Sequence, residues 1–210
     1  MILCGMIYII FLLRGDEMED KLRKIEIYAK ENKVPIMLSD GIDYLCNYIK
    51  EHNIKKILEI GSAIGYSAIR MALVDKDIEI VTIERDVDRY NEAIKNIHEF
   101  NMDNQIKIIL GDATDIEIDG MFDLIFIDAS KGHNISFFEK YKSNLNSNGV
   151  IITDNLSFHG LVEDDSLAVT RNQRGIVKKI RNFIEFLDNN QEFKTEYVSV
   201  GDKIAISSRI

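Results

Sequence analysis

The segment KKILEIGSAIGYSAIRMALV, residues 55–74, indicates the fold class most clearly. Its first part, Lys55 to Ile60, predicts a buried strand, and the part that starts at Gly65 predicts a helix. Between them, Gly61 and Gly65 allow the backbone to turn tightly and to approach a ligand closely. A strand that passes through a glycine-containing turn into a helix is typical of a βαβ unit. The stretch therefore predicts a parallel α/β sheet.

The alternation of strands and helices extends along the chain. Further helices are predicted over residues 19–32, from an N-cap at Ser39 to Glu51, from an N-cap at Asp86 to Phe100, from Asn134 onwards, and through a basic segment to Leu187. Further strands are predicted over residues 78–84, from Gln105, over 122–128 and 149–155, and on either side of a Gly201-Asp202 turn. This order predicts a mostly parallel sheet with helices on both faces, completed by an antiparallel hairpin.

Length and composition indicate one globular domain over residues 18–210. The chain of 210 residues contains no repeat and no proline-, glycine- or serine-rich linker. Residues 1–17 form an apolar extension that is shorter than the roughly 20 residues needed to span a bilayer, and it lacks the features of a signal peptide. We therefore expect a cytoplasmic protein without membrane association. The extension either precedes the true start at Met18 or docks on the second subunit of a homodimer.

The charge distribution is uneven. A net charge of −9 argues against broad attraction to nucleic acid. The segment TRNQRGIVKKIRN, residues 170–182, is nevertheless basic and contains no acid. At helical spacing its cationic side chains fall along one face, namely Arg171, Arg174, Lys178 and Arg181. This face is either the solvated side of an amphipathic helix or a nucleic-acid contact.

The glycine turn indicates a nucleoside ligand. Glu84 follows Gly61 at the position where a carboxylate accepts hydrogen bonds from ribose hydroxyls. The dinucleotide fingerprint G-x-G-x-x-G would require glycines where Ala63 and Tyr66 stand. Glu59, just before the turn, would repel a pyrophosphate and suits a cationic ligand terminus. The sequence therefore favours S-adenosylmethionine over NAD.

Acidic and amide side chains end successive strands. Asp112 ends the third predicted strand, Asp128 the fourth, and Asp154 with Asn155 the fifth. If the last two strands are neighbours, two carboxylates and one amide converge, and a divalent cation would relieve their repulsion. An all-oxygen set suits Mg²⁺. Lys131 would then lie beside the cation and a sulfonium, which favour its neutral form and allow it to act as a general base.

At these residues the chain resembles the cation-dependent O-methyltransferases, the family of catechol and caffeoyl-coenzyme A O-methyltransferases. The matching segments are LEIGSAIGYSAI, VTIERD, GDA, FIDASKGH and GVIITDN. The resemblance implies an S-adenosylmethionine-dependent enzyme with a Rossmann-like, seven-stranded class I methyltransferase sheet. It also implies that Lys131 is the general base and that Mg²⁺, or alternatively Mn²⁺, is held by Asp128, Asp154 and Asn155. The cofactor contacts that it implies are Met37, Glu59, Gly61, Gly65, Tyr66, Ser67, Glu84 at the ribose, Arg85, Asp112 at the adenine, Ala113 and Asp128.

Within the family, three segments look most like the bacterial tRNA 5-hydroxyuridine methyltransferases. They are EIYAKENKVPIM, LVEDDSLAVTRNQRGIVKKIRNF and VSVGDKIAIS. This resemblance implies that the basic face, Arg171, Arg174, Lys178 and Arg181, contacts a tRNA anticodon loop. Two alternatives are a small catechol-like or hydroxycinnamoyl-thioester substrate, and a nucleoside-binding module without catalysis. Salt-dependent effects of charge reversal on the basic face would separate the first two hypotheses.

Overall fold

The computed structural model describes residues 2–129 and 131–210, with the side chains of 17–129, 131–164 and 166–210. The helices are α1 (Ile2–Glu31), α2 (Ser39–Glu51), α3 (Tyr66–Ala72), α4 (Val87–Glu99), α5 (Asn134–Tyr141) and α6 (Arg171–Asp188). The strands are β1 (Lys56–Ile60), β2 (Glu79–Glu84), β3 (Ile106–Leu110), β4 (Phe122–Ile127), β5 (Leu145–Thr153), β6 (Phe193–Val198) and β7 (Ile204–Arg209). No helix in these described residues is long and apolar enough to cross a bilayer.

The seven strands form one sheet in the order β3-β2-β1-β4-β5-β7-β6. All neighbours from β3 to β5 are parallel, whereas β7 is antiparallel to both β5 and β6. The predicted fold class is therefore confirmed, including the antiparallel hairpin at the carboxyl end. This strand order places β1 and β4 side by side at the centre, with the chain winding outward in opposite directions from them.

Alternate side chains of the central strands pack into two separate cores. Leu124 and Phe126 of β4 belong to the core beneath α1, α2, α3 and α4. Ile125 and Ile127 belong to the opposite core, which α5 and α6 cover. All four side chains are fully buried. A strand covered on both faces must be apolar at consecutive positions, which explains the uninterrupted run before Asp128.

Several predicted boundaries differ from the structure. Helix α1 begins at Ile2 rather than near residue 19, and its backbone is helical across residue 17, so the division at residues 17 and 18 stays a prediction. Ser39 is the first helical residue and not the N-cap; the carboxylate of Asp40 accepts a hydrogen bond from the Gly41 amide instead. Strand β5 begins at Leu145, not Gly149, because Leu145 pairs with Phe122 before a bulge. The N-cap at Asp86 is confirmed by its bonds from the Asp88 and Arg89 amides.

Candidate active site

A cavity of about 600 Å³ lies at the carboxyl ends of the central strands. The loops that leave β1 and β4 diverge there, because β1 continues towards β2 on one side and β4 towards β5 on the other. Such a reversal of strand order is where open α/β sheets bind their ligands. The predicted residues that line this cavity are Met37, Gly61, Tyr66, Ser67, Glu84, Arg85, Asp112, Ala113, Asp128, Lys131 and Asn155.

Gly61 lets the tips of β1 and β4 approach each other closely. Its φ of +97° is unfavourable for a side chain, and a Cβ built there would lie 2.5 Å from the carbonyl oxygen of Asp128. Gly65, with a φ of +81°, occupies the N-cap position of α3. The turn thus brings the N-terminus of α3 to the cavity, although Gly65 itself does not line it.

Glu84 joins the glycine turn to the tip of β2. Its carboxylate is buried and accepts hydrogen bonds from the Ala63 amide and the Asp86 amide, both at 2.8 Å. Each carboxylate oxygen can accept a second hydrogen bond, and Glu84 lines the cavity. The side chain therefore retains acceptor capacity for a ligand with two neighbouring hydroxyls.

Asp112 and Arg85 form a polar edge of the cavity next to Glu84. Hydrogen bonds from the Thr114 amide and hydroxyl hold the pKa of Asp112 below its ordinary value, so this carboxylate stays ionised at neutral pH. The Arg85 guanidinium lies 3.6 Å from it. Ala113 is buried beside this pair. The arrangement offers a carboxylate acceptor and an apolar surface to a heterocyclic base.

Met37 and Tyr66 close the side of the cavity that faces α1 and α2. Met37 is buried and lies on the segment between these helices. Just after this segment, the Asp40 side chain accepts a hydrogen bond from the Gly201 amide of the final hairpin at 3.0 Å. The Tyr66 hydroxyl donates to Glu26 of α1 at 2.7 Å. These contacts connect helix α1 and the hairpin turn to the wall of the cavity.

Glu59 lies beneath the cavity and not in its lining. Its side chain is fully buried, and its two carboxylate oxygens accept hydrogen bonds from Ser67 at 2.5 Å and Thr82 at 2.6 Å. The direct contact that we expected between Glu59 and a cationic ligand terminus does not match this placement. Burial instead raises the pKa of Glu59 to about 7. Only Ser67 of this group lines the cavity, so Glu59 acts on the site by orienting Ser67.

We expect the Glu59→Gln variant to change how stability depends on pH. Glu59 has an unfolded-state pKa near 4.5 and a folded-state pKa near 7, so its favourable contribution is complete below pH 4.5 and is lost as the pH rises to 7. The free energy of unfolding of the wild type should fall relative to that of the variant by on the order of 3 kcal/mol over this window. Urea denaturation from pH 4 to 8 measures the difference, and a difference independent of pH would contradict the burial argument.

Asp128, Asp154 and Asn155 converge at the tips of β4 and β5. These strands pair in parallel with Ile127 opposite Thr153, so their next residues emerge side by side. The Asn155 Nδ2 donates to Asp128 Oδ1 and to Asp154 Oδ2, each at 2.9 Å. A 180° rotation of the Asn155 side-chain amide exchanges its oxygen and nitrogen, so the oxygen can also face the space between Asp128 and Asp154 as an acceptor. The predicted convergence of the two strand tips is therefore present.

The chemistry of this cluster suits a divalent cation. Asp154 is buried, and its Oδ1 has no hydrogen-bond partner among the described residues. Burial and the negative charge of Asp128 together raise the pKa of Asp154 well above its ordinary range. A group of three or more His, Cys, Asp or Glu side chains around one point is absent from the described residues, since the third donor here is an amide. Two carboxylates and an amide oxygen form a donor set that Mg²⁺ accepts.

Lys131 lies beside this cluster. Its Nζ is 3.3 Å from Asp128 Oδ1, and its side chain is only 18% exposed. Lys131 also lines the cavity, as does His133 two residues later. The Lys131 Nζ therefore lies between Asp128 and the space in which a ligand would bind.

The predicted basic face of α6 divides into two pairs. Arg174 donates to the carbonyl of Ala168 at 3.2 Å, and Arg181 donates to that of Val162 at 2.7 Å, so both hold the preceding segment against α6. All four residues are exposed, and the hydrogen bonds to carbonyl oxygens distinguish Arg174 and Arg181 from Arg171 and Lys178. None of the four lines the main cavity. Two of the four predicted tRNA-binding residues, Arg174 and Arg181, therefore stabilise the segment that precedes α6.

Sequence reasoning missed several side chains that line the cavity, among them Phe158, His159, Asn172 and Lys179. Phe158 and His159 have φ values of +50° and +57°, and their rings stack with centroids 5.8 Å apart. No pattern in the sequence marks this loop, apart from its position directly after Asn155. Lys179 lies in the basic segment, but on a different flank of α6 from the face that we singled out.

The family can be assigned at this point from comparison with known proteins. A family model described as O-methyltransferase matches residues 15–210. The chain belongs to the O-methyltransferase family. This assignment confirms the family that the sequence resembles and the predicted enzyme class. It agrees with the site, where a cofactor-sized cavity adjoins two carboxylates and a lysine.

Individual relatives of this O-methyltransferase show the same relationship. A Staphylococcus aureus structure named a "putative caffeoyl-CoA O-methyltransferase" is 36% identical, with a TM-score of 0.86 over 90% of this chain and 92% of that chain. A catechol O-methyltransferase of Niastella koreensis is 35% identical over 53% of this chain and 54% of its own length. A Bacillus cereus O-methyltransferase in complex with SAH is 24% identical, with a TM-score of 0.77 over 91% of both chains. At that identity the last comparison shows the fold alone.

Proposed function

We propose that this O-methyltransferase uses S-adenosylmethionine and Mg²⁺ to methylate the 5-hydroxyl of 5-hydroxyuridine at the wobble position of tRNA, which gives 5-methoxyuridine. The observation that carries the proposal is the composition of the two ends of the site. Asp128, Lys131 and Asn155 line the main cavity next to the buried Asp154, and a second cavity that adjoins it along α6 is lined by the cationic side chains of Arg171 and Lys179. The first set suits a chelating hydroxyl, and the second suits a polyanion.

The cofactor site is formed by the tips of β1, β2 and β3. Bound there, S-adenosylmethionine supplies an electrophilic methyl group on a sulfonium. Glu84 would accept hydrogen bonds from its ribose hydroxyls, and Asp112 would bind at its adenine. Met37 and Tyr66 exclude water on the side of α1. The Bacillus cereus relative, in complex with SAH, has the same fold and supports this use of the cavity.

The acceptor site is formed by Asp128, Asp154, Asn155 and Lys131. Asp128, Asp154 and Asn155 would hold Mg²⁺, which when bound would withdraw electron density from the acceptor hydroxyl and so ease loss of its proton. A 5-hydroxyl next to the C4 carbonyl of uracil offers two adjacent oxygens, as a catechol does. Lys131 in its neutral form removes the hydroxyl proton at Nζ and holds it as an ammonium beside Asp128. The side chains position the oxygen for in-line attack, which supplies much of the acceleration.

A small catechol-like compound or a hydroxycinnamoyl thioester is the second candidate acceptor. The names of two relatives, a catechol O-methyltransferase and a "putative caffeoyl-CoA O-methyltransferase", favour this class of substrate. The same carboxylates and lysine would serve it. A neutral catechol leaves without a role the exposed positive charge of Arg171 and Lys178, on a chain with an overall charge of −9, whereas the phosphates of a coenzyme A thioester would give it one.

Two experiments test the proposed substrate. Nucleoside mass spectrometry of tRNA from cells that lack this protein should show accumulated 5-hydroxyuridine and no 5-methoxyuridine. In vitro, the double variant Arg171→Glu/Lys178→Glu should methylate tRNA at least about tenfold more slowly at low salt, with a smaller deficit as the salt concentration rises. We avoid Arg174 because it also holds Ala168.

Catechol serves as the internal control for the charge reversal. Its methylation by the double variant should stay within about twofold of the wild type, because a neutral acceptor makes no phosphate contact. Unchanged 5-methoxyuridine in the deletion strain would refute the tRNA assignment. Equal losses with tRNA and with catechol would show that the charge reversal damages the enzyme rather than its contact with RNA.

A further inference from the structure

Lys179 lies between two adjoining cavities. It lines the main cavity and also a second one, which is bounded by Arg171, Asn172, Gly175, Ile176 and Lys179 along α6. Three side chains are therefore shared by both cavities, namely Asn172, Ile176 and Lys179. A ligand whose reacting ring fills the main cavity would extend past these residues into the second cavity.

The Lys179 side chain lies against Gly132. A Cβ built on Gly132 would lie 2.8 Å from Lys179 Nζ and 3.5 Å from its Cδ, so the side chain lies directly on the glycine. Gly132 follows Lys131, and His133 comes next in the same loop. The Lys179 ammonium thus lies next to the loop that contains the proposed general base.

Lys179 has no direct counter-charge among the described residues. Within the described part of the chain Lys179 has no hydrogen-bond or ion-pair partner, whereas Lys131, Lys140, Lys142 and Lys203 each have a carboxylate within 4 Å. The main cavity contains carboxylates as well as basic groups, but these carboxylates have other partners: Glu84 bonds to backbone amides, Asp112 to Thr114, and Asp128 to Lys131 and Asn155. The exposed Lys179 ammonium is therefore available to a bound anion, next to Arg171 in the second cavity.

Gly175 leaves the second cavity accessible from the side. A Cβ built on Gly175 would meet no atom within 4 Å, and the helix surface there is formed by Asn172 and Ile176 on either side. A chain of sugars and phosphates could pass along this surface with its phosphate next to Lys179. Asn172 offers an amide donor at the same place.

We propose that Lys179, assisted by Asn172 and Arg171, binds a backbone phosphate next to the nucleotide whose base enters the main cavity. The inference rests on the proposed function and adds to it the way in which a single nucleotide is selected and positioned. Enzymes that modify one base extrude it from its stack into a pocket, and phosphate contacts set the register of such a substrate without reading its sequence.

The test compares Lys179→Met with the control Lys107→Met in methylation of an anticodon stem-loop that contains 5-hydroxyuridine. Lys107 is exposed on β3 and lines neither cavity. Loss of Lys179 should raise KM for the stem-loop about tenfold or more with kcat within about threefold, which corresponds to the loss of one charge-assisted phosphate contact. The slope of log KM against log salt should fall by about 0.7. Lys107→Met should change neither value.

A neutral acceptor separates phosphate binding from pocket shape. The KM of Lys179→Met for catechol should equal that of the wild type, and an equal rise with catechol and the stem-loop would overturn the inference. If the wild type methylates catechol but no RNA, the proposed function itself has failed. A rise in KM confined to a coenzyme A thioester, and absent for the matching pantetheine thioester, would then assign the ammonium to coenzyme A phosphates and overturn its assignment to RNA.

Discussion

Replacement of Asp128 by alanine is expected to lower kcat/KM for methyl transfer by at least about a thousandfold. Asp128 contacts two other residues of the proposed acceptor site: Lys131 Nζ lies 3.3 Å and Asn155 Nδ2 lies 2.9 Å from its Oδ1. Its loss would leave Asp154 as the single carboxylate of the proposed cation site and would remove the ion-pair partner of Lys131. A cation that stabilises developing charge contributes several kcal/mol, and about 4 kcal/mol corresponds to the predicted factor.

The Asp119→Ala variant is the matched control for Asp128→Ala. Asp119 is an exposed carboxylate outside the cavity, so its removal should leave the rate within about twofold. Isothermal titration with Mn²⁺ should show binding to Asp119→Ala and greatly weakened binding to Asp128→Ala. Circular dichroism of both variants establishes that they are folded. More than a tenth of the wild-type activity in Asp128→Ala would contradict the role of this carboxylate.

Replacement of Lys131 by methionine is expected to lower kcat by about 10² to 10⁴, the usual contribution of a positioned general base. Methionine keeps most of the volume of the largely buried side chain but cannot accept a proton. The deficit should shrink as the pH rises, because the acceptor hydroxyl ionises without assistance. Rates measured from pH 6 to 10 under saturating substrate check this expectation.

Arginine at position 131 distinguishes a base from a fixed positive charge. An arginine side chain keeps the charge next to Asp128 but is not deprotonated in proteins. If Lys131 acts as a base, Lys131→Arg should be as slow as Lys131→Met at neutral pH. An arginine variant within tenfold of the wild type would show that Lys131 acts through its charge alone.

The features that could be predicted from the sequence are those set by local pattern. The apolar run before Asp128 predicted β4, a strand covered on both faces. The apolar run that ends at Asp154 and Asn155 predicted β5, which pairs with β4. Asp86 was predicted to cap the helix that follows Glu84, and its side chain caps α4. Even the hairpin was visible, because Gly201-Asp202 separates two strand-like segments that pair in the structure.

The features that could not be predicted depend on register and on the rotation of helices. Glu59 is opposite Thr82 in the pairing of β1 with β2, so its carboxylate is satisfied inside the sheet and does not face a ligand. Nothing in either strand sets this register by itself. Burial of Val177, Ile180 and Phe183 sets the rotation of α6 about its axis. In this rotation Lys179 lies on the side of the helix that lines the cavity. Helical spacing alone groups Arg171 with Arg174 and Arg181, whose surroundings are quite different.

The most direct test of the account measures the dependence of wild-type methyl transfer on a divalent cation. Methyl transfer from labelled S-adenosylmethionine to 5-hydroxyuridine-containing tRNA, and in parallel to catechol, is followed while EDTA is added in excess and Mg²⁺ is then restored. The arrangement of Asp128, Asp154, Asn155 and Lys131 predicts that activity falls to background with EDTA and returns when free Mg²⁺ exceeds the chelator. Undiminished methyl transfer in excess EDTA, with the protein shown to be free of metal, would contradict it.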